Sequence, residues 1–166
     1  MPFFYTSNRF PLDKLEFKKL SENLKYLKQA AIWGESKWGY LRNFPGLKFR
    51  IKDINEIKDH FYIVTYGDHA VGMFAVLGGK KIADWSNKSF PSKELEYVYV
   101  DEPFRGLGIG KKIIQEAKKI AHAKEEHVIL LQTLNPNLNS FYKKHGAKEV
   151  GEQKFLEIPT EVLAIS

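Results

Sequence analysis

The spacing of apolar residues changes character several times along the chain, and each change predicts an element. In "PLDKLEFKKLSENLKYLKQAAIW", Leu20, Leu24, Leu27 and Ala31 recur at steps of four, three and four, with lysines and glutamates between them, which predicts an amphipathic helix. The preceding "PFFYT" reads as a short edge strand, "FPG" at 44–46 as a turn, and "DINEIKDH" as a short helix. "FYIVTY" (61–66) and "VGMFAVL" (71–77), joined by "GDHA", predict a hairpin that ends at a Gly-Gly pair. "ELEYVYV" (94–100) is a third strong strand. Beyond a glycine-rich turn, Ile113, Ile114, Ala117, Ile120 and Ala121 return to helical spacing up to about Lys124. "HVILLQTL" (127–134) has the continuous apolar character of a buried strand, and "NPNLNSFYKKHG" predicts a short helix stopped by Gly146. "AKEVGEQ" and "EVLAIS" read as closing strands. The order β, α, hairpin and third strand, α, β, α, β, β predicts an α/β (α+β) fold, a mixed sheet with helices packed on it.

Composition narrows the picture. At 166 residues the chain suits a single domain over 1–166, and 43% hydrophobic with 28% charged residues excludes intrinsic disorder. The net charge of +6 favours anionic partners without choosing among phosphorylated cofactors, nucleic acid and membrane surfaces. The chain has no cysteine, which excludes disulfides, thiolate metal sites and a cysteine acyl-enzyme. Neither a signal-peptide pattern nor an apolar run of about 18 residues occurs, so the expectation is a soluble, cytoplasmic protein with no membrane partner. His60, His69, His122, His127 and His145 lack metal-ligand spacing and read as surface or packing residues, so no metal is expected.

The chemistry concentrates in "VYVDEPFRGLGIGKKII" (98–114), where a strand meets a helix through Gly106, Gly108 and Gly110. Glycine permits close approach of backbone to ligand, and helix-start amides reinforced by the helix dipole make an anion cradle suited to a pyrophosphate. Arg105, Lys111 and Lys112 add positive charge. The same glycines would also serve a plain strand-to-helix corner. Neither GxxxxGK[ST] nor a G-x-G-x-x-G opening a βαβ unit is present.

Here the sequence resembles a known family. "LEYVYVDEPFRGLGIGKKII" is similar to the acetyl-CoA-binding motif of the GNAT superfamily of N-acetyltransferases, R/Q-x-x-G-x-G/A after a strand, with Arg105, Gly108 and Gly110 at the motif positions. "NPNLNSFYKKHGAKEVG" resembles the family's second landmark: Asn135, Tyr142 and Gly146 fit, and Ala147 replaces the usual phenylalanine. The likeness is good over residues 61–166 and rests on element order alone before that. "ELEYVYV" and "FYKKHGA" are loosely similar to the spermidine/spermine-type small-amine acetyltransferases. The resemblance implies a mostly antiparallel central sheet flanked by helices, acetyl-CoA as cosubstrate, and transfer of an acetyl group to a primary amine of a small molecule or peptide by direct attack in a ternary complex.

The resemblance also implies roles. Backbone groups of Val98, Tyr99 and Val100 would bind the pantetheine arm and the acetyl carbonyl. Arg105, Gly106, Leu107, Gly108, Ile109, Gly110 and Lys111 would cradle the pyrophosphate. Tyr142 would protonate the departing thiolate, and Asn135 would bond the pantetheine arm, although Asn135 also reads as an ordinary helix cap before Pro136. Lys143, with Lys144, would meet the 3′-phosphate, or simply be solvated. Glu94 and Glu96, two apart on a strand, would share a face with Val98 and Val100, where desolvation should raise a carboxylate pKa. Glu96 is the first choice of general base and Glu94 the second; the plain alternative is two solvated or ion-paired glutamates. Trp33, Trp38 and Tyr40 read as core, with an aromatic wall for a cationic amine as the alternative. Two rival functions stay open: a non-catalytic acyl-CoA-binding regulator, and an RNA-directed (aminoacyl-tRNA) acetyltransferase, for which the net charge is permissive. A homodimer is neither required nor excluded by the sequence.

Overall fold

A computed structural model describes residues 10–41, 46–78, 92–123, 128–133, 135–155 and 158–165. The strand expected at residues 2–6, His127, and parts of the turns expected at 44–46 and 78–79 lie outside these. Seven strands form one sheet: β1 (Leu15–Lys19), β2 (Phe61–Tyr66), β3 (His69–Gly78), β4 (Ser92–Val100), β5 (Val128–Leu131), β6 (Lys148–Phe155) and β7 (Ile158–Ile165), in the order β1-β2-β3-β4-β5-β7-β6. The helices are α1 (Leu27–Trp38), α2 (Leu47–Glu56), α3 (Ile109–Ala123) and α4 (Pro136–Lys144). The β4–β5 pair is parallel and the β1–β2, β2–β3, β5–β7 and β6–β7 pairs are antiparallel, so the sheet is mixed and mostly antiparallel, as expected.

The helix expected from Pro11 onward begins only at Leu27. Leu15–Lys19 instead forms the edge strand β1, paired with β2 from Leu15↔Tyr66 to Lys19↔Tyr62. The alternation Leu15, Phe17 places Phe17 edge-on to Phe74 at 6.1 Å, and this cross-strand packing overrides a helical spacing carried by only four apolar residues. Leu20 is buried in a 3-10 turn, whereas Leu24, counted above in the apolar stripe, is 48% exposed. The second helix likewise starts earlier than "DINEIKDH": α2 opens after Gly46, and Lys58–His60 is a separate 3-10 turn.

Contacts divide the chain into two units that interleave in sequence: Met1–Ala75 with Tyr97–Ile113, and Val76–Glu96 with Ile114–Ser166. In the first, the hairpin turns at Gly67–Asp68, with Gly67 at φ +61° and Tyr66 opposite His69. Phe61, Ile63 and Val64 of β2 and Met73 and Phe74 of β3 are fully buried. Helices α1 and α2 are joined by a buried ion pair, Arg50 Nε to Glu35 Oε1 at 3.2 Å, and the Gly46 N–H donates to the same carboxylate. In the second unit, Leu130 of β5 packs on Val162 of β7, while the β6–β7 ladder shifts register between Glu149 and Gly151. Helix α3 buries Ile113, Ile114, Ala117 and Ala121 of the face the sequence predicts, with Ile109 in addition, while Ile120 is only half-buried.

Candidate active site

Strand β4 carries the first elements of the site. Its parallel pairing with β5 runs from Ser92↔Val128 to Glu94↔Leu130, and among the described residues it goes no further. At Tyr97 the backbone turns left-handed, φ +57°, which is strained for a tyrosine and breaks the two-residue alternation of the strand. The face shared by Glu94 and Glu96 therefore does not run unbroken to Val98 and Val100, as simple alternation predicts. Glu94 is 2% exposed and Glu96 half-buried.

Beyond Tyr97 the strand has two distinct edges. The Asp101 N–H donates to Val71 O at 2.8 Å, and a Cβ on Gly72 would stand 2.8 Å from Tyr99 O. Asp101 and Tyr99 thus direct their backbone groups toward β3, and by alternation Val98 and Val100 direct theirs away from it. Two side chains serve that outer edge. Lys37 Nζ donates to Val98 O at 3.3 Å, and Arg105 Nε donates to Val100 O at 2.8 Å. The N–H groups of Val98 and Val100 point to the same edge, along which β4 has no further pairing with β5 among the described residues, and donors so placed suit an acyl oxygen or an amide arm.

An aromatic and cationic cluster stands over this half of β4. Tyr99 stacks on Trp33, with ring centroids 5.3 Å apart and planes at 29°, and Tyr97 meets Trp38 edge-on at 5.4 Å. Arg50, 6% exposed, donates through Nη1 to the Tyr97 hydroxyl at 2.9 Å, so the Glu35–Arg50 pair also fixes the ring at the left-handed residue. Lys37 Nζ lies 4.8 Å from the Trp38 ring and 5.9 Å from Tyr99, while the Arg105 guanidinium lies 5.3 Å from Tyr99. Burial, and then the Arg105 charge, hold Lys37 below the ordinary lysine pKa. Lys37, Glu35, Arg50 and Tyr97 were not legible as site residues, because their contacts join distant residues with no periodicity. Of the three aromatics read as core, Trp33 is buried and Trp38 half-buried, but Tyr40 is 76% exposed and does not belong to the core.

The glycine turn follows at once. Asp101 caps a 3-10 turn at Glu102–Phe104, and Gly106 (φ +79°) and Gly108 (φ +94°) then bring the chain into α3, where Lys112 N donates to Gly108 O. The two glycines have different reasons. A Cβ on Gly108 would meet Leu12 Cδ1 at 3.1 Å, so that residue serves packing as well as conformation. Around Gly106 none of the described residues lies within 4 Å of the Cβ position, which leaves room for an anion at the start of a long helix. The corner therefore fits a pyrophosphate. Leu107 and Ile109 are buried and anchor the turn, Gly110 lies in the first turn of α3, and Lys111 is exposed beside it. The Arg105 side chain folds back on β4 through Nε.

In the second unit, Asn135 caps α4: its Oδ1 accepts from Asn137 N at 2.9 Å, with Pro136 in the first turn. Gly146, at φ +100°, ends the helix as the sequence predicts. Tyr142 is 6% exposed, and burial pushes its phenol well above the ordinary tyrosine pKa, so at neutral pH it is fully protonated. Lys143 Nζ pairs with Glu161 Oε2 at 2.8 Å, and that hydrogen bond raises the lysine pKa. Among the described residues there is no group of three metal-ligating side chains.

A family model for the acetyltransferase (GNAT) domain matches residues 58–146. The chain is similar in fold to Ard1 from Thermoplasma volcanium, at 16% identity and TM-score 0.65 over 91% of this chain and 96% of that one. It is similar to Arabidopsis thaliana Naa50 in complex with the bisubstrate analogue CoA-Ac-MVNAL, at 19% identity and TM-score 0.64 over 92% and 99%. An acetyltransferase from Streptococcus agalactiae 2603 superposes with TM-score 0.68 at 17% identity over 92% and 98%. At these identities the likeness is one of fold.

Proposed function

We infer the reaction in detail from one premise: the chain belongs to the GNAT acetyltransferase family and is an acetyl-CoA-dependent N-acetyltransferase, with acetyl-CoA as cosubstrate. The observation that carries the reading is the outer edge of Val98–Val100, whose amides face away from β3 immediately before a turn of left-handed glycines. These amides hold the thioester carbonyl and the pantetheine arm, with Tyr99 fixing the strand between them. The turn from Arg105 to Lys111 receives the pyrophosphate on backbone N–H groups. The residues of both units act as one domain, which the span of the family match supports.

Transfer proceeds by direct attack in a ternary complex, and the absence of cysteine rules out a cysteine acyl-enzyme as the alternative. Glu96, with Glu94 behind it, takes the proton from the acceptor ammonium, directly or through water. The neutral amine attacks the carbonyl carbon, the Val98 and Val100 amides steady the negative oxygen, and Tyr142 returns a proton to the departing thiolate. Asn135 stays chiefly a helix cap, and Lys143 reaches the cofactor's phosphate only at the expense of its pair with Glu161.

The acceptor is the primary amine of an amino acid or peptide rather than of a polyamine. Lys37 and Arg105 flank the ring of Tyr99, and two cations there repel a polycation, whereas the charge of Arg50 is compensated by Glu35. The bisubstrate analogue bound by the Arabidopsis relative, which joins CoA to a peptide, supports the same direction. The test is calorimetric titration of acetyl-CoA, with dephospho-CoA and NAD for comparison, followed by thiol release with a panel of amines. Micromolar binding weakened without the 3′-phosphate, then thiol release with peptides, is the expected result. Binding without release to any amine favours the acyl-CoA regulator. Release only with charged tRNA, falling steeply with salt, favours the RNA-directed enzyme. Absence of binding removes the reading.

A further inference from the structure

The amine of Lys37 occupies a place the reaction above leaves unexplained. It reaches from α1 to the outer edge of β4 and donates to Val98 O, on the edge whose Val98 and Val100 amides are assigned to the acyl group. The rings of Trp38 and Tyr99 cover it, and among the described residues it has no carboxylate partner. A half-buried ammonium held only by a carbonyl and two rings, beside a second cation, is poorly compensated. The two causes that lower its pKa, desolvation and a neighbouring positive charge, are the ones by which proteins turn lysines into nucleophiles. Lys143 is the opposite case in the same chain, exposed and kept charged by Glu161.

We propose that Lys37 is an internal acyl acceptor, acetylated on Nζ by the acetyl-CoA bound to its own chain along Val98–Val100. The inference rests on the acyl-group placement proposed above. In the step, the neutral Nζ attacks the thioester carbonyl carbon, the C–N bond forms as the C–S bond breaks, and the proton lost from nitrogen leaves with the thiolate as free CoA thiol. The product is a neutral amide on the edge that an external amine must approach. It removes a positive charge from beside Arg105 and competes with the acceptor, so self-acetylation lowers turnover with peptides.

The experiment incubates the full chain with acetyl-CoA and maps acetylated lysines by mass spectrometry over time, alongside calorimetry. The expected result is one acetyl group per chain on Lys37, formed at least about tenfold faster than on Lys143. The rate per chain should saturate with acetyl-CoA and stay constant as protein concentration is varied, and urea-unfolded chain should show no preference. If acetyl-CoA binds but Lys37 stays unmodified, or is modified no faster than surface lysines, the inference is overturned while the acetyltransferase reading stands. A rate that rises with protein concentration overturns transfer within one chain. If acetyl-CoA does not bind, both fall.

Discussion

From Ser92 to Glu94, strand β4 is held by a parallel ladder to Val128–Leu130, whereas from Tyr97 to Val100 its outer edge is held by two side chains, Lys37 and Arg105. Ladder bonds break only when neighbouring residues open with them; a lysine or arginine can let go of one carbonyl alone. The first half of the strand is therefore built to stay and the second to exchange partners. The change falls at the left-handed Tyr97, which is also where the chain passes from one unit to the other.

Proline replacements test this contrast most severely. Val100→Pro removes an outer-edge amide and should lower turnover by roughly 100-fold, the loss expected for one oxyanion donor, with little change in stability. Lys93→Pro, in the laddered half, should instead cost about 1–3 kcal/mol in urea unfolding. If the two variants behave alike, the contrast is broken.

Tyr142→Phe, outside β4, should lower kcat by about 100-fold and leave acetyl-CoA affinity unchanged by calorimetry. The buried phenol also has a signature in stability. Because its pKa is raised on folding, the native state keeps a proton that the unfolded chain loses above about pH 10. Stability should fall with rising pH there, by at most about 1.4 kcal/mol per unit, and Tyr142→Phe should remove that slope.

Glu96→Gln, at the junction of the two halves, should slow turnover by about tenfold to 100-fold, most at neutral pH and below. An unmoved pH–rate profile would dismiss Glu96 as the base. The smallest effect belongs to Tyr97→Phe, which deprives Arg50 of its acceptor and should cost about 1 kcal/mol in urea unfolding, with the fold retained.

Much of the fold was legible, for reasons visible in particular residues. The Gly67–Asp68 hairpin, the glycines before α3, the Asn135 cap and the Gly146 stop are local signals, each requiring a specific residue type. The five-residue edge strand β1 was not legible, since Leu15 and Phe17 alternate too briefly to outweigh the helical spacing that follows. Nor was the left-handed backbone at Tyr97, because tyrosine gives no turn signal and the conformation is imposed by packing against Phe61, Trp38 and Arg50. The reach of Lys37 to Val98, between residues 61 positions apart, leaves no trace in periodicity.

Gly72 has a consequence for anyone redesigning this protein. A methyl group there would press on the Tyr99 carbonyl at 2.8 Å, so any larger residue must push the neighbouring backbone sideways. The position works as a set-screw for the opposite edge of β4, since its Cβ site also lies 3.6 Å from Val100 Cα. Mutant libraries confined to side chains around the proposed acceptor would never sample it, yet Gly72→Ala is a one-methyl edit that should shift Tyr99 and Val100, and with them the amides proposed to hold the acyl group.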